Sequence, residues 1–174
     1  MEFSLADGLP LLRRTPHLLK GWLLELPDSW ITANEGSDTW SPYDIVGHLI
    51  HGERTDWMPR VELLLKHGES RAFTPFDRFA QFQESKGKSL RQLIDTFAAL
   101  RRTNLERLVS LELTPNDMQR RGLHPELGPV RLGELLATWV VHDLNHIGQI
   151  ARVMSRQYQG NVGPWVEYLP ILTR

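Results

Sequence analysis

The sequence predicts an all-α protein, a four-helix bundle, on three observations. Leu132, Leu135, Trp139, His142, His146, Gln149 and Val153 follow one another at steps of three and four, the repeat of an inward helical stripe. Proline, glycine and capping residues divide the remainder into three further long segments with helical apolar spacing. No segment alternates apolar and polar residues over the length of a strand.

The elements follow in chain order. The first core helix is expected to start at Thr15-Pro16, a cap followed by a proline at the first helical position, and to run through Leu18, Leu19, Trp22, Leu23 and Leu26 to Pro27. A short helical segment over residues 5–12 precedes it. The second spans residues 42–67: Ser41 caps it, Pro42 suits its first turn, and Asp44 completes a capping-box spacing. Val46, Leu49, Ile50, Trp57, Val61, Leu64 and Leu65 form its inward face, and Pro59 should kink or interrupt it. His67, beside Gly68 at its end, complements the helix dipole and needs no other partner. The third begins at Ser89, three residues before Gln92, and carries Leu90, Leu93, Ile94, Phe97, Leu100, Leu108 and Leu111. The fourth spans residues 130–157.

Two connections are long. Residues 68–88 exceed the loop of a simple up-down bundle, which predicts a crossover and places the second helix beside the fourth. Residues 114–129 form a turn-rich stretch just before the last helix, where loops often carry specificity.

Composition narrows the classes. A chain of 174 residues with 41% hydrophobic content suits one domain over residues 1–174. A formal net charge of -1 provides no electrostatic footprint for nucleic acid. The absence of cysteine excludes disulfides and any thiol chemistry from the protein itself. No secretory leader stands at the amino terminus and no apolar run approaches the roughly 20 residues that cross a bilayer, so a cytoplasmic location away from membranes is expected. The six tryptophans read as core filling or a dimer face, and residues 165–172 as a tail on the bundle or across a partner subunit. A homodimer is the expectation.

The chemistry concentrates on His142 and His146. Four residues apart on a helix, they lie one above the other on the inward stripe, where two imidazoles converge on a divalent ion. Buried rings cost free energy unless satisfied, by a metal or by hydrogen bonds to core neighbours. A metal needs a third ligand, and without cysteine that is a histidine or carboxylate. His48, two turns into the second helix among Ile45, Val46, Leu49 and Ile50, ranks first; His51 follows before the polar stretch at residues 52–56. Asp44, Asp143 and Asn145 are placed to orient an imidazole, and Gln149 to meet bound water or substrate. Thr55 lies about two turns after His48 on a similar face, and His124 sits on the loop that precedes the last helix. Glu53 ranks low as a general base, because helix-surface carboxylates are usually solvated.

Trp40-Ser41 followed by His48-Leu49, together with the run from His142 through Asp143, Leu144, Asn145, His146, Ile147, Gly148 and Gln149 to Ile150, resembles the DinB-like family of metal-binding four-helix proteins, DinB and YfiT-related. The likeness extends to residues 12–16 and 163–169 and so covers nearly the whole chain. It implies a three-histidine site mapping onto His48, His142 and His146, holding a divalent ion such as zinc or nickel. It also implies transfer of a small thiol or a related reaction.

An open three-histidine site lowers the pKa of water toward about 7 or holds a small-molecule thiol as thiolate. The expected function is therefore a metal-dependent transferase using a low-molecular-weight thiol, or a hydrolase, acting on a small molecule. The alternatives are a non-catalytic metal-binding stress or interaction protein, and a helical module with satisfied core histidines.

Overall fold

The computed structural model describes residues 3–173. Four long helical rods form the bundle: α1 (Leu5–Leu23), the paired α3 (Pro42–Thr55) and α4 (Trp57–His67), α6 (Leu90–Ser110) and α8 (Leu132–Arg156). Between them lie the short helices α2 (Asp28–Thr32), α5 (Ala80–Ser85) and α7 (Pro115–Met118), and a two-stranded hairpin of β1 (Arg121–His124) and β2 (Gly128–Arg131). The α3–α4 rod packs against both α6 and α8, as α1 does, so the expected placement of the second rod beside the last is met. Short 3₁₀ turns follow α8, and the tail rests on it through buried Leu172, with Trp165 and Tyr168 exposed. No helix among the described residues is long and apolar enough to cross a membrane.

Local chemistry explains most boundaries. Ser41 and Asp44 form the capping box at the start of α3, and Ser89 and Gln92 form another at α6. The α3–α4 rod breaks at Asp56, whose φ and ψ are -109° and -67°. Pro59 lacks the amide that would bond the Thr55 carbonyl, and its ring crowds that turn, so the interruption falls just ahead of it.

The amino-terminal rod corrects the expectation of two segments. One helix starts at the Ser4 cap, with Pro10 and Pro16 inside it. Pro16 leaves the Leu12 carbonyl without its usual amide, and Arg101 Nη1 supplies the missing donor at 2.7 Å. The helix ends at Leu23 rather than at Pro27, and a residue with positive φ, Glu25 at 73°, turns the chain toward α2.

The hairpin was not expected. Its register pairs Arg121 with Arg131 and His124 with Gly128, and Gly128 closes the turn at a φ of 75°. Gly122 lets it lie on α4, because a Cβ there would stand 3.0 Å from Leu64 and Phe73. The Phe73 amide donates to the Leu123 carbonyl at 2.8 Å, stitching the connection after α4 to the hairpin.

A charged cluster joins the rods inside the core. Arg101, Glu53 and Asp143 are only 1%, 2% and 2% exposed. Arg101 donates to both Asp143 oxygens, at 2.6 and 2.9 Å, and from Nε to Glu53 Oε1 at 3.0 Å. Asn104 Nδ2 and Trp139 Nε1 donate to the Glu53 carboxylate at 3.0 and 3.1 Å. Every oxygen of the two carboxylates thus finds a donor, the condition for burying these charges. Arg101→Leu should leave two buried carboxylates unpaired and cost about 3–5 kcal/mol, read by urea denaturation, whereas Arg102→Leu on the exposed face should change little. Equal effects of the two would show that the cluster does not hold the rods.

Candidate metal centre

His48 comes from α3, and His142 and His146 from successive turns of α8. The rods cross so that three ring nitrogens meet: His142 Nε2 is 3.0 Å from His48 Nε2 and 3.1 Å from His146 Nε2. All three ligand atoms lie within 4.8 Å of one another, and they are a group that can hold a metal ion. Nitrogens about 2.0–2.1 Å from one ion at tetrahedral angles stand roughly 3.3 Å apart, so the spacing suits such an ion. A proton on His142 Nε2 satisfies one of its two close contacts, whereas a cation satisfies both.

The surroundings hold the rings neutral and oriented. Burial above all, and then the neighbouring His146, bring His48 down to about 3 and His142 down to about 2. His146 is lowered too, chiefly by burial. The Gln149 Oε1 oxygen lies 2.8 Å from His146 Nδ1. An amide oxygen only accepts, so Nδ1 carries the proton and Nε2 presents a bare lone pair. Trp40 packs on His48 with ring centroids 4.7 Å apart, and Trp57 meets His142 edge-on at 5.0 Å while stacking on Trp139 at 5.6 Å.

The remaining residues singled out in the sequence divide. Gln149 contacts a ring nitrogen of His146 and also lines a neighbouring cavity. Asp44 spends one carboxylate oxygen on Ser41, accepting from its amide at 2.9 Å and its hydroxyl at 2.6 Å, because the helix start needs that acceptor. His51 is buried rather than solvated, and its Nδ1 donates to Glu84 Oε1 of α5 at 3.0 Å. Thr55 is exposed, its hydroxyl bonded back to the His51 carbonyl at 2.9 Å. Asp143 is committed to Arg101, and Asn145 is exposed. Glu53 is no solvated carboxylate; it lies in the core cluster.

His124 does reach the site. A cavity of about 340 Å³ has His48, His142 and His124 in its wall, together with Trp57, Phe73 and Phe76. His124 Nδ1 accepts from the Glu126 and Leu127 amides, both at 3.2 Å, so the neutral ring keeps its proton on Nε2. Burial lowers its pKa.

Sequence reasoning missed Arg101 and Asn104. The signal was present: Ile94, Phe97, Arg101, Asn104 and Leu108 step by three and four, the same inward stripe that exposed the histidines.

The imidazole values set a stability dependence. A histidine of ordinary pKa near 6.5 that falls to about 3 or about 2 in the fold binds its proton more weakly there than in the unfolded chain. The neutral rings therefore contribute their full stability above pH 6.5 and lose it as pH falls toward 3. Metal-free protein should lose melting temperature across that window, and the double variant His48→Gln, His142→Gln should lose less; parallel curves would refute the assignment.

Comparisons with known proteins agree with this architecture. A curated protein of Oceanobacillus iheyensis, described as "Putative metal-dependent hydrolase OB0782", is 24% identical over 144 residues, covering 82% of this chain and 81% of that protein. YfiT from Bacillus subtilis, described as "a probable metal-dependent hydrolase with an unusual four-helix bundle topology", superposes with a TM-score of 0.74 at 22% identity, covering 89% of each chain. A DinB-like protein from Bacillus cereus superposes with a TM-score of 0.56 at 18% identity, covering 90% of this chain and 94% of that one. The family model for the DinB superfamily matches residues 11–150, and the chain belongs to that superfamily.

Proposed function

We propose that this chain is a metal-dependent enzyme that binds a divalent ion, zinc or nickel, through His48, His142 and His146, and acts as a hydrolase or as a transferase using a small thiol. The observation that carries the reading is one-sided access. Three nitrogens converge where a closed structural site takes four ligands, and a cavity opens onto two of the rings. Hydrolysis is favoured by the descriptions of the Oceanobacillus and Bacillus subtilis proteins. Thiol transfer is the second reading; with no cysteine in the chain, the sulfur comes from a small molecule.

A divalent ion bound there supplies Lewis-acid chemistry that holds water or a thiol in its deprotonated, nucleophilic form near neutral pH. The protein's own groups do the rest. Burial keeps the ligand rings unprotonated, so protons do not compete for their lone pairs at neutral pH. Gln149 fixes the His146 tautomer. Trp40 and Trp57 pack against the rings and keep water from their flanks. His124 offers an Nε2–H hydrogen bond to a ligand within the cavity.

Elemental analysis of protein purified without a histidine tag should find about one ion per chain, with none retained by His142→Ala. Activity of the loaded protein against esters, amides and electrophilic thiol acceptors should vanish with the ion; a variant that has lost metal yet keeps its activity would overturn the reading. Gln149→Ala should weaken the ion by about 10–100-fold in a competition titration with a chromophoric chelator.

A further inference from the structure

The cavity beside the histidines restricts what can react there. At about 340 Å³ it lies at the small end of ligand sites. Trp57, Phe73, Phe76, Leu127 and Leu135 give it a largely apolar wall. Its charged groups are not equally available. Asp56 and Arg60 are paired at 2.5 Å, and Arg60 also covers the Phe73 ring. Glu134 accepts from the Arg131 amide at 2.7 Å as part of the α8 cap. Glu126 stands on the hairpin turn, where its charge acts on His124.

Arg78 is different. It lines the same cavity, and among the described residues it has no hydrogen bond or ion pair. His48 and His142 line that same cavity, so Arg78 faces the space onto which the rings open. It also lines a second cavity with Trp40, which packs on His48, and Gln149, which bonds His146. A guanidinium left without a partner beside an apolar cavity is a receptor for a planar anion, which it grips through two parallel N–H bonds.

We propose that the cavity takes a small monocarboxylate with an apolar body, its acid group paired with Arg78 and its body against Phe73, Phe76 and Leu135. This rests on the catalytic reading of the three histidines, since it names the class of molecule presented to them. A single negative charge is specified because one cation is unpaired, while a second charge on the ligand would meet Glu126 and Glu134. The side chain is exposed on a turn after the connection from α4, so Arg78→Gln alters the charge without touching the core.

Calorimetry with 4-phenylbutyrate and its neutral amide, on zinc-loaded and metal-free protein, tests this. The carboxylate should bind more tightly than the amide in both forms. Arg78→Gln should weaken the carboxylate at least tenfold and leave the amide within twofold. Equal loss for both probes, no loss for either, or no binding of either probe would overturn the proposal. So would a carboxylate preference that disappears when zinc is removed, because the ion rather than Arg78 would then be reading the acid. Failure of zinc to bind at one per chain would instead count against the metal reading, and the metal-free comparison would still judge Arg78.

Discussion

A buried guanidinium held between two carboxylates is the constraint on which this molecule turns. Arg101 of α6 binds Glu53 of α3, Asp143 of α8 and the Leu12 carbonyl of α1, so one side chain touches every rod of the bundle. Apolar packing tolerates small slides of one helix along another, whereas a desolvated charge does not tolerate losing its partner. Asp143 adjoins His142, and Glu53 lies five residues after His48. Fixing the two carboxylates on Arg101 therefore also fixes the rotation of α3 and α8 that brings the imidazoles together.

Much of this was legible because helices write their inward faces into sequence. His142 and His146 were visible from their spacing, and His48 from its distance to the Ser41 cap. Which residues were misread is equally instructive. Glu53 and Arg101 occupy inward positions, yet charged residues are solvated so commonly that residue type outweighed position. The pairing that makes their burial tolerable is between distant parts of the chain, and a local pattern cannot display it.

The same reasoning accounts for the amino-terminal rod. A proline within a helix reads locally as a start or a break, because it removes an intrahelical bond. Here the carbonyl freed by Pro16 is satisfied by Arg101, 89 residues away. Just ahead of Pro59 the chain does break, and the joint lines the cavity beside the histidines through Asp56 and Trp57. The hairpin escaped notice because its four-residue strands contain glycine and proline and carry no clear alternation. It is specified by what it lies on: Leu64, Phe73 and the start of α8.

The stitch between Phe73 and Leu123 has a consequence for how such a protein diversifies. The converging imidazoles are carried by rigid rods, whereas much of the wall of the adjoining chamber comes from two surface loops joined edge to edge. Substitutions or insertions in those loops can reshape the chamber while the charged lock inside the bundle stays intact. The converging histidines and the shape of the chamber beside them are thus inherited on different stretches of chain, and one can drift while the other is held.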